Sequence, residues 1–126
     1  MPELSTSKKI KHIDTGDSAD LICPRCGGDY LHHQSVVMFD RAEDDELATR
    51  SIVSGSKMIL DIVNSKDAGN PSRRRGGLVI QFCCEHCEAK DGPTQIIELT
   101  IAQHKGSTEI GWRFSPLSVT DRGAGK

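Results

Sequence analysis

Gly77-Leu78-Val79-Ile80-Gln81-Phe82-Cys83-Cys84-Glu85-His86-Cys87 runs from an alternating apolar stretch straight into a Cys-x-x-Cys pair. Leu78, Ile80 and Phe82 recur with period two, which predicts a half-buried β-strand. The strand feeds Cys84 and Cys87, two thiols separated by two residues. A second such pair, Cys23-Pro24-Arg25-Cys26-Gly27, lies far upstream. Together the pairs supply the four soft ligands of a closed tetrahedral zinc site. The reading is a sheet whose distant segments are clasped through sulfur by one structural metal ion.

Two intervening residues let both sulfurs of a pair face one metal while backbone amides turn toward them. Pro24 pre-sets that turn, and Gly27 permits the left-handed residue that commonly follows. The second pair has Glu88 in place of that glycine, which predicts a looser turn. Residues 27–83 separate the pairs, far more than the roughly 15–20 of a compact ribbon. They must form an inserted hairpin or a longer sheet, and loop closure grows only logarithmically with length. Cys83 is the odd thiol: it points away from Cys84 if the strand continues, as a small apolar residue under the sheet. A Cys83–Cys87 pair is the alternative ligand choice. His32, His33, His86 and His104 are further candidate ligands, but four cysteines already complete a tetrahedron.

The rest of the chain offers little else to fix a fold. Its 126 residues suit one domain, with 36% apolar content and five aromatic side chains: Phe39, Phe82, Phe114, Tyr30 and Trp112. Small cores of this kind need a staple. Disulfides compete with zinc for that role. Five cysteines is an odd count, and the polar stretch from Met1 to Asp20 lacks an apolar signal core. No run is long enough to span a membrane. The expectation is therefore metal ligation in a reducing cytoplasm.

Alternation continues on either side of the opening stretch. Leu31 to Phe39 reads as a strand with Leu31, Val37 and Phe39 on one parity. Ile97, Leu99 and Ile101 form another strand, and Ile110, Trp112 and Phe114 a last one. His104-Lys105-Gly106-Ser107 joins these two as a hairpin, with Gly106 at a positive φ. Ala42 to Arg50 reads as one or two helical turns, Lys57 to Val63 as a strand, and Asp67 to Ser72 as a loop. The fold class is mostly β: an antiparallel zinc-ribbon-like sheet with a 41–76 insertion. It occupies 21–116, between a flexible lead-in at 1–20 and a flexible tail at 117–126.

The motifs Cys-Pro-Arg-Cys-Gly-Gly, Tyr30-Leu31-His32-His33, Asn70-Pro71-Ser72-Arg73-Arg74, the Gly77–Cys87 stretch and Gln103-His104-Lys105-Gly106-Ser107-Thr108 occur here in one order. In that combination the chain resembles a family of small, poorly characterised zinc-ribbon proteins of bacteria and bacteriophages, over about residues 21–114. Similar proteins often carry a bulky aromatic where this chain has Cys83, which supports Cys84 as the ligand. The resemblance implies a bacterial or phage cytoplasmic protein and implies no activity.

Catalysis is not expected. Zinc catalysis needs an open coordination position, and four thiolates leave none. No Gly-rich phosphate loop, nucleophile elbow or His-Glu-x-x-His helix is present. The expected role is a non-enzymatic interaction module that binds a protein partner. Nucleic-acid binding is the alternative, through Arg73, Arg74, Arg75, His104 and Lys105, with Trp112 as a stacking surface, although its alternation with Ile110 and Phe114 favours a core position. Against that alternative, residues 77–114 carry five acidic and three basic groups, and phosphate affinity requires clustered positive charge.

Overall fold

The computed structural model describes residues 4–5, 11–14, 19–87 and 96–115. As the alternation predicts, the protein is mostly β and its strands pair antiparallel. Nine strands are described: β1 (Leu4–Ser5), β2 (Lys11–Asp14), β3 (Ala19–Ile22), β4 (Leu31–Asp40), β5 (Leu47–Ser54), β6 (Lys57–Asn64), β7 (Gly77–Cys84), β8 (Ile96–His104) and β9 (Ser107–Ser115). Seven form one sheet in the order β1-β9-β8-β7-β4-β5-β6, and β2 and β3 form a separate pair. One helical turn at 85–87 follows β7. The long insertion is thus an edge hairpin, β5–β6, that extends the sheet, followed by a loop.

Register divides the sheet into two faces, because directly paired residues share a face and successive residues alternate. Ile80, Leu99 and Trp112 lie opposite one another, as do Phe82, Ile97 and Phe114. These apolar residues make one core with Cys23, Cys84, Leu21 and Leu31. Trp112 is fully buried and meets Phe82 edge to face at 6.0 Å. It is a core residue, not an exposed stacking surface.

The other face holds a second core of Val37, Phe39, Ala48, Ile52, Val63, Ala68 and Val79. Beside it Gln81, Glu98, Thr100 and Arg113 are also buried. Their strands were expected to be half-buried, with this parity in water. The 65–76 loop covers it instead: Ala68 joins the core and Arg113 Nη2 donates to the Gly69 carbonyl at 2.7 Å. The Asn-Pro-Ser motif organises that loop. Asn70 Nδ2 donates to Ser65 Oγ and to the Arg75 carbonyl, and Ser72 Oγ donates to the Gln103 carbonyl.

Two expectations are corrected. Leu31 does not share a face with Val37 and Phe39. The pairing of β4 with β7 shifts between His33 and Ser35, and one extra residue in a strand reverses every side chain beyond it. Ala42 to Arg50 does not form helical turns. It turns at Glu43–Asp44, with Asp44 at φ 62, and enters β5, where cross-strand pairs with β4 and β6 override weak local preference. Within the lead-in, Leu4–Ser5 pairs with β9 and Lys11–Asp14 with β3. The tail at 117–126 lies outside the described residues. The hairpin reading stands: Lys105 (φ 54) and Gly106 (φ 96) both take the left-handed conformation of a type I′ turn.

Candidate metal centre

β7 and the segment after β3 bring the two cysteine pairs together at one end of the sheet. The Sγ atoms of Cys23, Cys26, Cys84 and Cys87 all lie within 4.8 Å of one another. Cys23 and Cys87 are 3.8 Å apart, and Cys26 and Cys84 3.5 Å. Sulfurs at ~2.3 Å from a central zinc form a tetrahedron with edges of ~3.8 Å. The four cysteines are therefore close enough together to hold one metal ion.

The backbone around the first pair is built for it. Arg25 N–H donates to Cys23 Sγ and Gly28 N–H to Cys26 Sγ, each at 3.4 Å. Gly27, at φ 78, closes the turn by donating to the Cys23 carbonyl at 2.9 Å, and Cys23 N–H donates to the Gly28 carbonyl at 2.8 Å. Glu85 N–H donates to the Tyr30 carbonyl, which ties the second pair to the first. Glu88, on which the looser turn was expected, lies outside the described residues.

Without a cation the four thiols cannot all ionise. Burial raises the Cys23 thiol, more than the Cys26 and Arg25 amides lower it. Burial, then the three neighbouring sulfurs, push Cys87 far above an ordinary thiol. At Cys26 burial is the largest single influence and raises the thiol, but the Gly28 amide and the other thiols together outweigh it and leave it below the ordinary value. A divalent ion lets all four ionise by stabilising every thiolate at once.

The other candidate ligands stand apart. Cys83 is half-buried and lies on the face opposite Cys84, so it is absent from the sulfur group. His32 pairs with Glu85, and His86 packs on Tyr30 with ring centroids 5.0 Å apart. His33 is exposed on β4, and His104 ends β8. The His32–Glu85 pair beside the centre was not anticipated; a bulge two residues past His32 hid its direction.

The five candidate contact residues lie at the far end of the sheet, one β7 length away, roughly 25 Å. Ser72 and Gly76 bond to Gln103, which sets the Arg73–Arg75 loop beside the His104–Lys105 turn. The acidic run folds against the basic one. Arg74 bonds to Asp44 through Nε at 2.9 Å and Nη2 at 2.8 Å, and Arg74 and Arg75 both reach Glu43. The Arg74 guanidinium holds the Asp44 carboxyl below the usual carboxylate range.

No family model, no curated protein and no solved structure matches this chain. Among the described residues no helix is long and apolar enough to cross a membrane.

Proposed function

We propose that Cys23, Cys26, Cys84 and Cys87 hold one structural zinc ion, and that the protein is a non-enzymatic, zinc-ribbon-like module that binds a protein partner. The observation that carries this reading is the sulfur geometry: four thiols from two remote segments meet close enough together to hold one metal ion. All-sulfur ligation suits zinc among divalent ions. A saturated four-thiolate shell fixes structure and leaves no position for a substrate. Tyr30, Arg25, His32, Glu85 and His86 surround the site near solvent, on backbone that the metal would hold rigid. They offer a mixed polar and aromatic surface of the kind proteins recognise.

Nucleic-acid binding gains less support. Two of the three arginines expected to contact phosphate share their charge with Glu43 and Asp44, and Trp112 is inside the core. The resemblance to bacterial and phage proteins fits a regulatory adaptor acting in a reducing cytoplasm.

The test is elemental analysis of protein purified without added metal, followed by affinity capture from a bacterial lysate with the loaded protein and with a Tyr30→Ala, His86→Ala variant. One zinc per chain, and a captured protein lost in the variant, are expected. Material with no stoichiometric metal would remove the structural reading. Equal capture by both proteins would remove the partner surface.

A further inference from the structure

Among the described residues, the face centred on Trp112 is covered only at its cysteine end. Met38, Leu47, Val53, Met58, Leu60, Ile62 and Ile110 are exposed large apolar residues. Register places all seven on that face: Met58 lies opposite Val53, Leu60 joins Met38 through Ser51, and Ile110 joins Met38 through Ile101 and Leu78. Met58, Leu60 and Ile62 are 82%, 74% and 72% exposed. Tyr30, outside the strands, is the one other large exposed apolar side chain among the described residues.

The area is too large for an ordinary solvated surface. At these exposures the seven side chains present on the order of 800 Å², against the roughly 300–600 Å² of the largest patch on a typical monomer. About 800 Å² is what each partner gives to a standard interface. The patch is also almost uncharged. Across β4, β5 and β6, the residues on this face between the apolar ones are Thr49, Ser51 and Asn64, and the single charge is Asp40, at the end of β4.

We propose that this face is a homodimer interface, two copies packing sheet on sheet about a two-fold axis. A two-fold interface sets a patch against itself, so it must be self-complementary. A charged patch would repel its own copy; an apolar face with one rim carboxylate does not. Two twisted sheets stack face to face at ~10 Å with strands within about 30° of each other. In that arrangement the exposed half of the face gains the cover that Leu21 and the cysteine pairs give to the other half. The cysteine end stays outside the interface, so dimerisation and the proposed partner surface are independent.

Sedimentation equilibrium of the full, metal-loaded chain tests this, with Leu60→Glu and Lys57→Glu variants checked by circular dichroism and metal content. Leu60 is solvent-exposed in the single chain, so its substitution leaves the fold intact. The wild type is expected to be dimeric at micromolar concentration. Leu60→Glu is expected to weaken association at least about a hundredfold, each copy losing about tenfold or more. Lys57, on the opposite face of the same strand, is expected to matter little. A wild type that stays monomeric overturns the proposal, including one that captures a foreign protein through this face. So does a dimer indifferent to Leu60→Glu. A dimer broken by Lys57→Glu overturns it in favour of edge pairing through β6.

Discussion

The face of Trp112, Ile97 and Leu99 is covered at one end by the segment from Leu21 to Tyr30, which brings few apolar side chains of its own. The face of Val37, Ile52 and Val79 is covered by the 65–76 loop, which brings Ala68 and a set of hydrogen-bonding groups. A single sheet cannot exclude water from either side by itself. One cover is clasped through sulfur; the other is held by buried polar contacts. The difference locates stability in two chemistries that separate experiments can address.

The largest effect is expected at the sulfur end. Cys84→Ser should remove most of the metal-linked stabilisation, about 10 kcal/mol or more by comparison with zinc-finger peptides. That is comparable to the whole stability of an ordinary domain. Trp112, the one tryptophan, packs in the same cluster as Cys84 and reports the change. Its emission should move to the red in the variant, and in the wild type when a chelator is added. Unchanged metal content and melting temperature in Cys84→Ser would break the comparison at its root.

On the loop-covered face the corresponding test is Glu98→Ala. Glu98 is 1% exposed, accepts from Arg113 Nε at 2.6 Å and from Gln81 Nε2 at 2.7 Å, and Gln81 accepts in turn from Ser35. Removing the carboxylate leaves the Arg113 cation buried with its main partner gone. Such half-deletions cost about 3–5 kcal/mol. Urea unfolding should show that loss with metal content unchanged. Loss of metal in Glu98→Ala would mean that the two covers are one cooperative unit.

The contrast also explains what was legible in the sequence. The cysteine pairs declare themselves because their chemistry is local, and the apolar parity of β7, β8 and β9 was read correctly because Leu78, Ile80, Phe82 and their partners alternate cleanly. The polar parity hid the second core. Gln81, Glu98 and Arg113 look like a solvated face until the loop covers them, and that is a long-range fact. β5 was obscured for the same reason. Its inward residues are Ala48, Arg50 and Ile52, and Arg50 reads as surface although it is 1% exposed and bonded twice to Asp61 of β6. The bulge near Gln34 has no local signature, yet it decides that Leu31 serves the cysteine side and Val37 the other.

A smaller effect sharpens the comparison because it belongs to neither cover. Lys105 holds φ 54 in the β8–β9 turn, and a left-handed conformation costs a residue with a Cβ roughly 1–2 kcal/mol. Glycine relieves that strain but adds backbone entropy to the unfolded chain, about 0.5–1 kcal/mol in the other direction. Lys105→Gly is therefore expected to stabilise by about 0.5 kcal/mol, seen as a slightly higher urea midpoint. The turn ties β8 to β9, and both strands contribute to both faces. The gain should thus appear equally in Trp112 fluorescence and in amide exchange at Val37 and Ile52. A gain confined to one probe would show that the two cores unfold separately, with the sheet between them no longer acting as a common support.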